Sequence, residues 1–242
     1  MQKRIALVTG ASRGIGRAVA AALAQANCHV VVNFRSREEE AAITLRQIEE
    51  RGGTGELAPF DVGDGAACEQ AIGACLAKHG AIDVLVNNAG IRKDQLLIWT
   101  SPQDWSEIIN TDLNSFYHVT RPVVRDMLLK RRGRIITISS TSGLTGVPGQ
   151  VGYSAAKAGL IGASKSLARE CAKRGVTVNV LCPGFIETEI LEGADREALI
   201  KSVPMERLGK PEEVAAAVVF LAGEMAGYIT GAVLNINGGI YT

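Results

Sequence analysis

The feature that most restricts the fold is the regular alternation of short apolar runs with longer helical stretches. The runs read IALVT, HVVVNF, GELAPFDV, IDVLVNN, RIITISS, VTVNVLC and AVLNING. Most are continuously apolar rather than apolar at alternate residues, which indicates strands that are covered on both faces. Stretches such as GRAVAAALAQAN and YSAAKAGLIGASKSLARECAKRG lie between them. The sequence therefore predicts an α/β fold with a doubly wound parallel sheet of about seven strands and helices on both faces.

Length and composition suit one such sheet. The chain has 242 residues, of which 47% are hydrophobic and 21% charged, as is typical of a globular protein with a sizeable core. No Pro/Gly/Ser-rich linker divides it, so we expect a single domain over residues 1–242. The stretch 184–205 is polar, irregular and placed after a strand. Segments in that position form substrate lids in such sheets, and we expect a lid here.

Charge and cysteine content exclude several classes of partner. The formal net charge is +1, too small for a basic field that would attract nucleic acid or a membrane surface. No apolar run approaches the ~20 residues of a spanning helix, and the first residues enter a strand at once, so we expect no signal peptide. The five cysteines lack C-x-x-C spacing and the three histidines are scattered. We therefore expect reduced thiols, a cytoplasmic location and no metal site.

A glycine-rich turn, TGASRGIG, follows the first predicted strand from Thr9 to Gly16. Glycine lets the backbone approach a ligand closely, and the N-terminus of the next helix offers free N–H groups and a partial positive charge. The spacing G-x-x-x-G-x-G differs from the G-x-G-x-x-G of the common dinucleotide fingerprint. Taken alone, the segment is compatible with an ordinary tight turn, but its serine and arginine favour a phosphate.

The end of the second strand indicates which dinucleotide would bind. NAD-binding sheets usually place Asp or Glu there for the ribose 2′-hydroxyl, whereas this strand ends in VVVNFRSREE. Arg35 stands at that end, and Arg13 is available from the first turn. Because a guanidinium offers charge and bidentate donors to phosphate, the two arginines favour NADP, although Arg35 alone could be a solvated surface residue.

Tyr153 and Lys157, in YSAAK, lie four residues apart on one face of a predicted helix. An ammonium about 4 Å from a phenol favours the phenolate by roughly 4 kcal/mol at an effective dielectric constant of ~20, which equals about 3 pK units. A phenol tuned in this way is a general acid/base suited to carbonyl reduction. In an arbitrary protein, such a pair would more often lie on the surface of an amphipathic helix.

Several segments occur together in the order of a known family. TGASRGIG, FDV, NNAG, a serine thirteen residues before the tyrosine, YSAAK and PGFIET follow one another along the chain. In this combination the sequence resembles the short-chain dehydrogenase/reductase family over essentially its whole length. The resemblance implies a Rossmann-type fold, and within the family the chain looks most like the NADPH-dependent reductases of 3-oxoacyl thioesters of fatty-acid or related polyketide synthesis.

The resemblance also implies roles for individual residues. Ser140 would hydrogen-bond the substrate carbonyl, Tyr153 would donate a proton to its oxygen, and Lys157 would hold the nicotinamide ribose and favour the phenolate. The adjacent Ser139 lacks the family spacing to the tyrosine. Besides Arg35, Tyr153 and Lys157, the expected cofactor contacts are Gly10, Ser12, Arg13, Gly14, Ile15, Asp61, Val62, Asn88, Ala89, Gly90, Pro183, Gly184, Ile186 and Thr188.

One position departs from the family pattern. The family usually has an asparagine early in the helix before the serine strand, and Asp112 of IINTDLNSFYHV stands in its place. In the family this residue supports a water chain to the lysine, largely through its backbone carbonyl. We expect Asp112 to keep this backbone role with its side chain directed elsewhere. A carboxylate close to Lys157 would instead partly cancel the positive field of the lysine.

Two basic clusters, Arg131 with Arg132 and Lys173 with Arg174, are solvated surface by default. The family's docking arginines for acyl-carrier protein correspond to Arg131 and Arg174, so the resemblance implies that carrier as partner and an acyl group as substrate. It also implies a homotetramer. Two alternatives stay open: a dehydrogenase of a free alcohol, sugar or steroid, and a non-catalytic NADP-binding paralogue that only Asp112 suggests.

Overall fold

A single parallel sheet forms the centre of the protein in a computed structural model that describes residues 3–191, 193 and 195–242. The strands lie in the order β3-β2-β1-β4-β5-β6-β7, and all neighbours are parallel. This order confirms the predicted doubly wound, Rossmann-type α/β fold. The strands are β1 (Arg4–Val8), β2 (Cys28–Phe34), β3 (Thr54–Pro59), β4 (Val84–Asn87), β5 (Gly133–Ile138), β6 (Val176–Pro183) and β7 (Val233–Ile236).

Helices cover both faces of the sheet. The helices α1, α2 and α9 pack on one face, whereas α3, α5 and α7 pack on the other. A π-helical turn, Asn110–Asn114, joins α4 to α5. The helices are α1 (Gly14–Gln25), α2 (Glu38–Glu50), α3 (Gly65–His79), α4 (Pro102–Ile109), α5 (Ser115–Lys130), α6 (Ser142–Thr145), α7 (Val151–Cys171), α8 (Arg196–Ser202) and α9 (Pro211–Ala222).

The continuous apolar runs of the strands are explained by two hydrophobic cores. Successive side chains of a strand point to opposite faces, so Ala6 and Val8 of β1 pack under α1 and α9, while Ile5 and Leu7 pack with α3 and α5. Leu7 is fully buried. Burial of a leucine contributes about 1.5–3 kcal/mol to stability, so a polar residue on either face of β1 would weaken the fold.

The order of the strands places a crevice at one edge of the sheet. The chain winds outward in opposite directions from β1 and β4, and in such sheets ligands bind at the carboxyl ends of the strands where the direction changes. The loops after β1 and β4 are joined here, because Thr9 Oγ1 accepts the N–H groups of Asn88 at 2.9 Å and Ala89 at 3.0 Å. The glycine-rich turn and the NNAG segment therefore form one surface.

The expected lid segment, 184–205, is irregular apart from a short 3₁₀ turn, Glu189–Leu191, and α8. Ile186 forms an isolated parallel bridge with Gly209, which anchors the beginning of the segment. Glu192 and Ala194 lie outside the described residues. Its action as a lid stays a prediction. Within the described part of the chain, no helix combines the length and the apolarity needed to cross a membrane.

Candidate active site

A cleft of about 410 Å³ lies at the carboxyl ends of the central strands. Most of the predicted site residues line it, although they come from widely separated segments of the chain. Asp112, Arg131 and Arg174 are predicted site residues that do not line it. The lining residues among the predicted set are Gly10, Ser12, Arg13, Gly14, Ile15, Arg35, Asp61, Val62, Asn88, Ala89, Gly90, Ser140, Tyr153, Lys157, Pro183, Gly184, Ile186 and Thr188.

The turn after β1 needs its glycines for packing. Gly10 has φ +61°, and a Cβ on it would lie 2.9 Å from the Cα of Ala89. A Cβ on Gly16 would lie 2.3 Å from the carbonyl oxygen of Gly10. The turn can therefore lie directly against the NNAG loop only without side chains at these two positions.

The helix that follows the turn presents its N-terminus to the cleft. The N-cap residue of α1, Arg13, makes no side-chain capping hydrogen bond with the described residues, and the first turn of α1 contains no acidic residue. Backbone N–H groups at such an end lack intrahelical partners and carry a partial positive charge. Together with the glycine cradle, they fit the pyrophosphate of a dinucleotide.

The end of the cleft next to β2 is rich in arginine. Arg13, Arg35 and Arg37 line it, and Arg37 is a residue that sequence reasoning missed, although it stands only two positions after Arg35. The Arg35 Nη1 atom lies 3.8 Å from Asp61 Oδ2, and both side chains are partly exposed. Exposed pairs of this kind contribute little stability, so Arg35 can exchange the carboxylate for a phosphate.

Asn33 is a second residue that sequence reasoning did not use. It is buried at the end of β2 and lines the cleft. Its Oδ1 accepts the N–H of Gly10 at 3.2 Å, and its Nδ2 donates to the carbonyl oxygen of Phe60 at 3.0 Å. Asn33 thus ties the glycine-rich turn to the loop after β3. The polar residue within the run HVVVNF was the available signal.

The two adjacent serines after β5 have different surroundings. Ser139 is buried and donates its hydroxyl to the carbonyl oxygen of Lys157 at 2.8 Å. Ser140 lines the cleft, and its Oγ accepts the N–H of Ser142 at 3.1 Å. Because Oγ accepts this bond, the hydroxyl proton of Ser140 is available to a carbonyl in the cleft. The geometry suits the role that the resemblance implies for Ser140, and the role itself stays a prediction.

Tyr153 and Lys157 lie on the first two turns of α7 and both line the cleft. The Nζ of Lys157 is 5.4 Å from the centroid of the Tyr153 ring. Nζ also donates to the carbonyl oxygen of Ile138 at 3.4 Å, which holds the buried ammonium at the base of the cleft. A buried positive charge is thus held beside the phenol in the cleft.

The side chain of Asp112 contacts Lys157. Its Oδ2 lies 3.3 Å from Nζ, and the two side chains are 0% and 4% exposed. Its Oδ1 accepts the N–H of Ile91 at 2.8 Å. The expectation that this side chain is directed elsewhere is therefore wrong. Two features of the fold bring the carboxylate here: the π-helical turn that carries Asp112, and Gly90, where a Cβ would lie 2.9 Å from Oδ2.

Burial shapes the ionisation of this pair. Burial raises the pKa of Asp112, against the opposing effect of the Lys157 ammonium and the Ile91 N–H. Burial by itself would lower the pKa of Lys157, but the Asp112 carboxylate and Tyr153 outweigh it, and the pKa is raised. Lys157 therefore keeps its proton at neutral pH. Asp112 contacts Lys157 without lining the cleft, and its part in catalysis stays a prediction.

Arg131 and Arg174 form a common exposed patch, because Arg131 Nη2 donates to the carbonyl oxygen of Lys173 at 3.2 Å. The two arginines precede β5 and β6, whereas the cleft lies where these strands end. With 6 residues in β5 and 8 in β6, and about 3.3 Å per residue, the patch is roughly 20 Å or more from the cleft of the same chain. Docking at this patch stays a prediction.

Comparisons with known proteins identify the family of this chain. A family model described as "Enoyl-(Acyl carrier protein) reductase" matches residues 10–241. The 3-oxoacyl-[acyl-carrier-protein] reductase FabG of Escherichia coli (strain K12) is 48% identical over 241 residues, 98% of this chain and 97% of the relative. The protein of the same name from Vibrio harveyi is 47% identical, with coverage of 100% and 98%, and nodulation protein G of Azospirillum brasilense is 45% identical, with 99% of each chain covered. The chain therefore belongs to the short-chain dehydrogenase/reductase family and is an oxidoreductase.

Proposed function

We propose that this protein reduces a 3-oxoacyl thioester on acyl-carrier protein to the 3-hydroxyacyl thioester, with NADPH as reductant, in fatty-acid or related polyketide synthesis. The observation that carries the proposal is one cleft that holds Ser140, Tyr153 and Lys157 next to the glycine-rich turn after β1. Relatives named 3-oxoacyl-[acyl-carrier-protein] reductase, 47–48% identical over 97% or more of their length, support the substrate class.

The family uses a nicotinamide cofactor, and the residues of this cleft fit NADPH. The glycine cradle at Gly10 and the uncapped start of α1 would hold the pyrophosphate. Arg13, Arg35 and Arg37 would hold the 2′-phosphate, since guanidinium groups bind phosphate through charge and paired donors. When bound, the cofactor supplies a hydride to the carbonyl carbon of the substrate.

The residues of the chain supply orientation and the proton. Ser140 donates a hydrogen bond from its hydroxyl to the substrate carbonyl oxygen and fixes the position of that oxygen. Tyr153 gives its phenolic proton to that oxygen as negative charge develops there, which completes the new alcohol. The Lys157 ammonium stabilises the phenolate that remains. Proton transfer by a positioned group contributes about 10²–10⁴-fold to rate. The segment 184–205 would close over this site and exclude water.

The proposal extends to partner and assembly. The exposed patch of Arg131 and Arg174 is the surface that we assign to acyl-carrier protein. Because this patch lies at the sheet edge opposite the cleft, a carrier docked on one subunit would serve the cleft of another in a homotetramer. We also propose a cytoplasmic location and a single domain over the whole chain, as the resemblance implies.

Substrate tests distinguish this function from its competitors. NADPH oxidation is followed by absorbance, with acetoacetyl thioester as the 3-oxoacyl substrate and with crotonoyl thioester as the enoyl substrate. Reduction of NADP by free alcohols is followed in a separate assay. We expect turnover of acetoacetyl thioester, faster when it is carrier-bound. Turnover of crotonoyl thioester alone, or of free alcohols alone, would refute the proposal. NADPH binding with no turnover of any of these substrates would indicate a non-catalytic protein.

A further inference from the structure

Two of the three histidines meet a glutamate at the amino edge of the sheet, away from the cleft. His29 is the second residue of β2, Glu56 lies in β3, and His79 is the last residue of α3. His79 Nε2 is 2.8 Å from Glu56 Oε1, and His29 Nε2 is 3.9 Å from Glu56 Oε2. The proposed reductase function uses none of these side chains. Sequence reasoning did not predict the cluster, because the three residues are far apart along the chain.

The cluster has the dimensions of a small metal site. One ligand atom from each of the three residues lies within 4.8 Å of the others. Imidazole nitrogen and carboxylate oxygen are both zinc ligands at about 2.0 Å, and two ligands of a tetrahedral ion are then about 3.3 Å apart. His79 Nε2 lies 2.8 Å from Glu56 Oε1 and His29 Nε2 lies 3.9 Å from Oε2, so the two imidazoles flank the carboxylate at separations close to this value. Side-chain rotations that shorten the longest of these separations would bring all three atoms to one ion.

His29 has an unsatisfied atom on the side of the glutamate. Its Nδ1 is 3.2 Å from Thr54 Oγ1. Its Nε2 is buried and has no hydrogen-bond partner among the described residues. When Nδ1–H donates to Thr54, Nε2 carries a lone pair that faces the carboxylate of Glu56, and the two repel each other. A cation between them would satisfy both, and Thr54 would then fix the tautomer, as outer-sphere partners of metal-bound histidines do.

The cluster is held in place yet open to solvent. The side chains of His29, Glu56 and His79 are 22%, 23% and 13% exposed, so an ion can enter and a water can occupy a fourth position. The ammonium of Lys78 contacts Glu56 Oε2 and acts as its present counter-charge. The Lys78 side chain is 63% exposed and can turn into solvent when another cation binds.

We propose that His29, Glu56 and His79 bind a divalent transition-metal ion of the zinc class, with water completing its coordination. The ion would join β2, β3 and the end of α3 at the edge opposite the cleft. It would therefore stabilise the fold rather than take part in reduction. The proposal is independent of the substrate and of the cofactor.

Cobalt(II) is the probe, because its visible absorption reports the coordination of a zinc site. The full-length protein is treated with a chelator, dialysed and titrated with Co²⁺. We expect one Co²⁺ ion to bind saturably per chain and to show the absorption of a four-coordinate N/O site. Addition of Zn²⁺ should displace Co²⁺ and abolish this absorption. We also expect the melting temperature to rise with Zn²⁺ concentration, since an ion that binds only the folded state stabilises it.

Variants of single residues locate the site. Loss of an outer-sphere partner typically costs about 10–100-fold in metal affinity, so we expect that loss for Thr54→Val and a larger one for His29→Gln and His79→Gln. His118→Gln is the matched control, since the ring of His118 pairs through Nδ1 with the carbonyl oxygen of Val62 at 3.1 Å. It should bind Co²⁺ like the wild type.

The same titrations can refute the site. Absence of saturable Co²⁺ binding, or equal affinity in His29→Gln, His79→Gln and His118→Gln, would show an ion-pair cluster that holds no metal. If the histidine variants fail to fold, Lys78→Gln tests the metal site instead, because this exposed side chain can be replaced without disturbing packing. Removal of the competing ammonium should raise Co²⁺ affinity, and an unchanged or lower affinity would overturn the proposal.

Discussion

The sharpest test of the mechanism is Asp112→Asn. The substitution removes a negative charge 3.3 Å from Lys157 Nζ and keeps the size and shape of the side chain. In the wild type, this carboxylate opposes the positive field that favours a phenolate at Tyr153. The basic side of the pH–rate profile of the variant should therefore lie at lower pH than that of the wild type.

The structure bounds the size of this effect. Since Nζ is 3.3 Å from Oδ2 and 5.4 Å from the ring centroid of Tyr153, Oδ2 lies no more than about 8.7 Å from that centroid. A phenolate carries its charge on the oxygen, about 2.8 Å from the ring centre, so the carboxylate lies within about 11.5 Å of it. At an effective dielectric constant of ~20, a carboxylate at this limit disfavours the phenolate by about 1.4 kcal/mol, about a tenfold change in its ionisation constant. We expect the basic-side pKa of the profile to fall by about one unit or more.

The opposing effect acts through Lys157. The same carboxylate helps to raise the pKa of Lys157 against its burial, so the variant holds this proton less firmly. We expect Lys157 to remain charged, because asparagine is the residue that the family usually has at this position. The lysine field would then act on Tyr153 without opposition.

The assay is kcat/KM for acetoacetyl thioester as a function of pH, after thermal denaturation has shown that each variant is folded. Asp104→Asn is the matched control, because it removes one carboxylate of α4 from a partly exposed ion pair with Lys93. That variant should leave the profile unchanged. A profile of Asp112→Asn that does not move, or that moves to higher pH, would refute the reasoning; the upward shift would mean that Lys157 loses its proton.

Three further predictions concern the cleft and the basic patch. Tyr153→Phe should lower kcat by about 10²–10⁴-fold, and near-normal turnover would overturn the proton pathway. Arg13→Ala and Arg35→Ala should each reduce the NADPH/NADH ratio of kcat/KM by roughly 10- to 100-fold, as loss of a charged hydrogen bond does, and an unchanged ratio in both would mean that the 2′-phosphate lies elsewhere. The double variant Arg131→Ala/Arg174→Ala should lower kcat/KM and its salt dependence for carrier-bound substrate only; an equal loss on a small thioester would contradict docking there.

Much of the fold and of the cleft could be predicted from the sequence because the signals are local. Continuous apolar runs indicated buried parallel strands, and the strand-to-helix turn at Gly10 indicated a phosphate site. The carboxyl ends of parallel strands meet at one edge, so residues such as Ser140 and Asn88 could be placed there without knowledge of packing. The four-residue spacing of Tyr153 and Lys157 placed both on one helical face.

Only the tertiary structure decided what separate elements bring together. The side chain of Asp112 reaches Lys157 because a π-helical turn and the missing Cβ of Gly90 leave room for it, and neither is encoded in local periodicity. Arg131 and Arg174 became one patch at the edge opposite the cleft because both precede neighbouring strands. His29 meets His79 across 50 positions for a similar reason: the register of the sheet and the end of α3 bring them to one place. Contacts of this kind depend on how strands pair and how helices pack, and the spacing of residues along the sequence does not predict either.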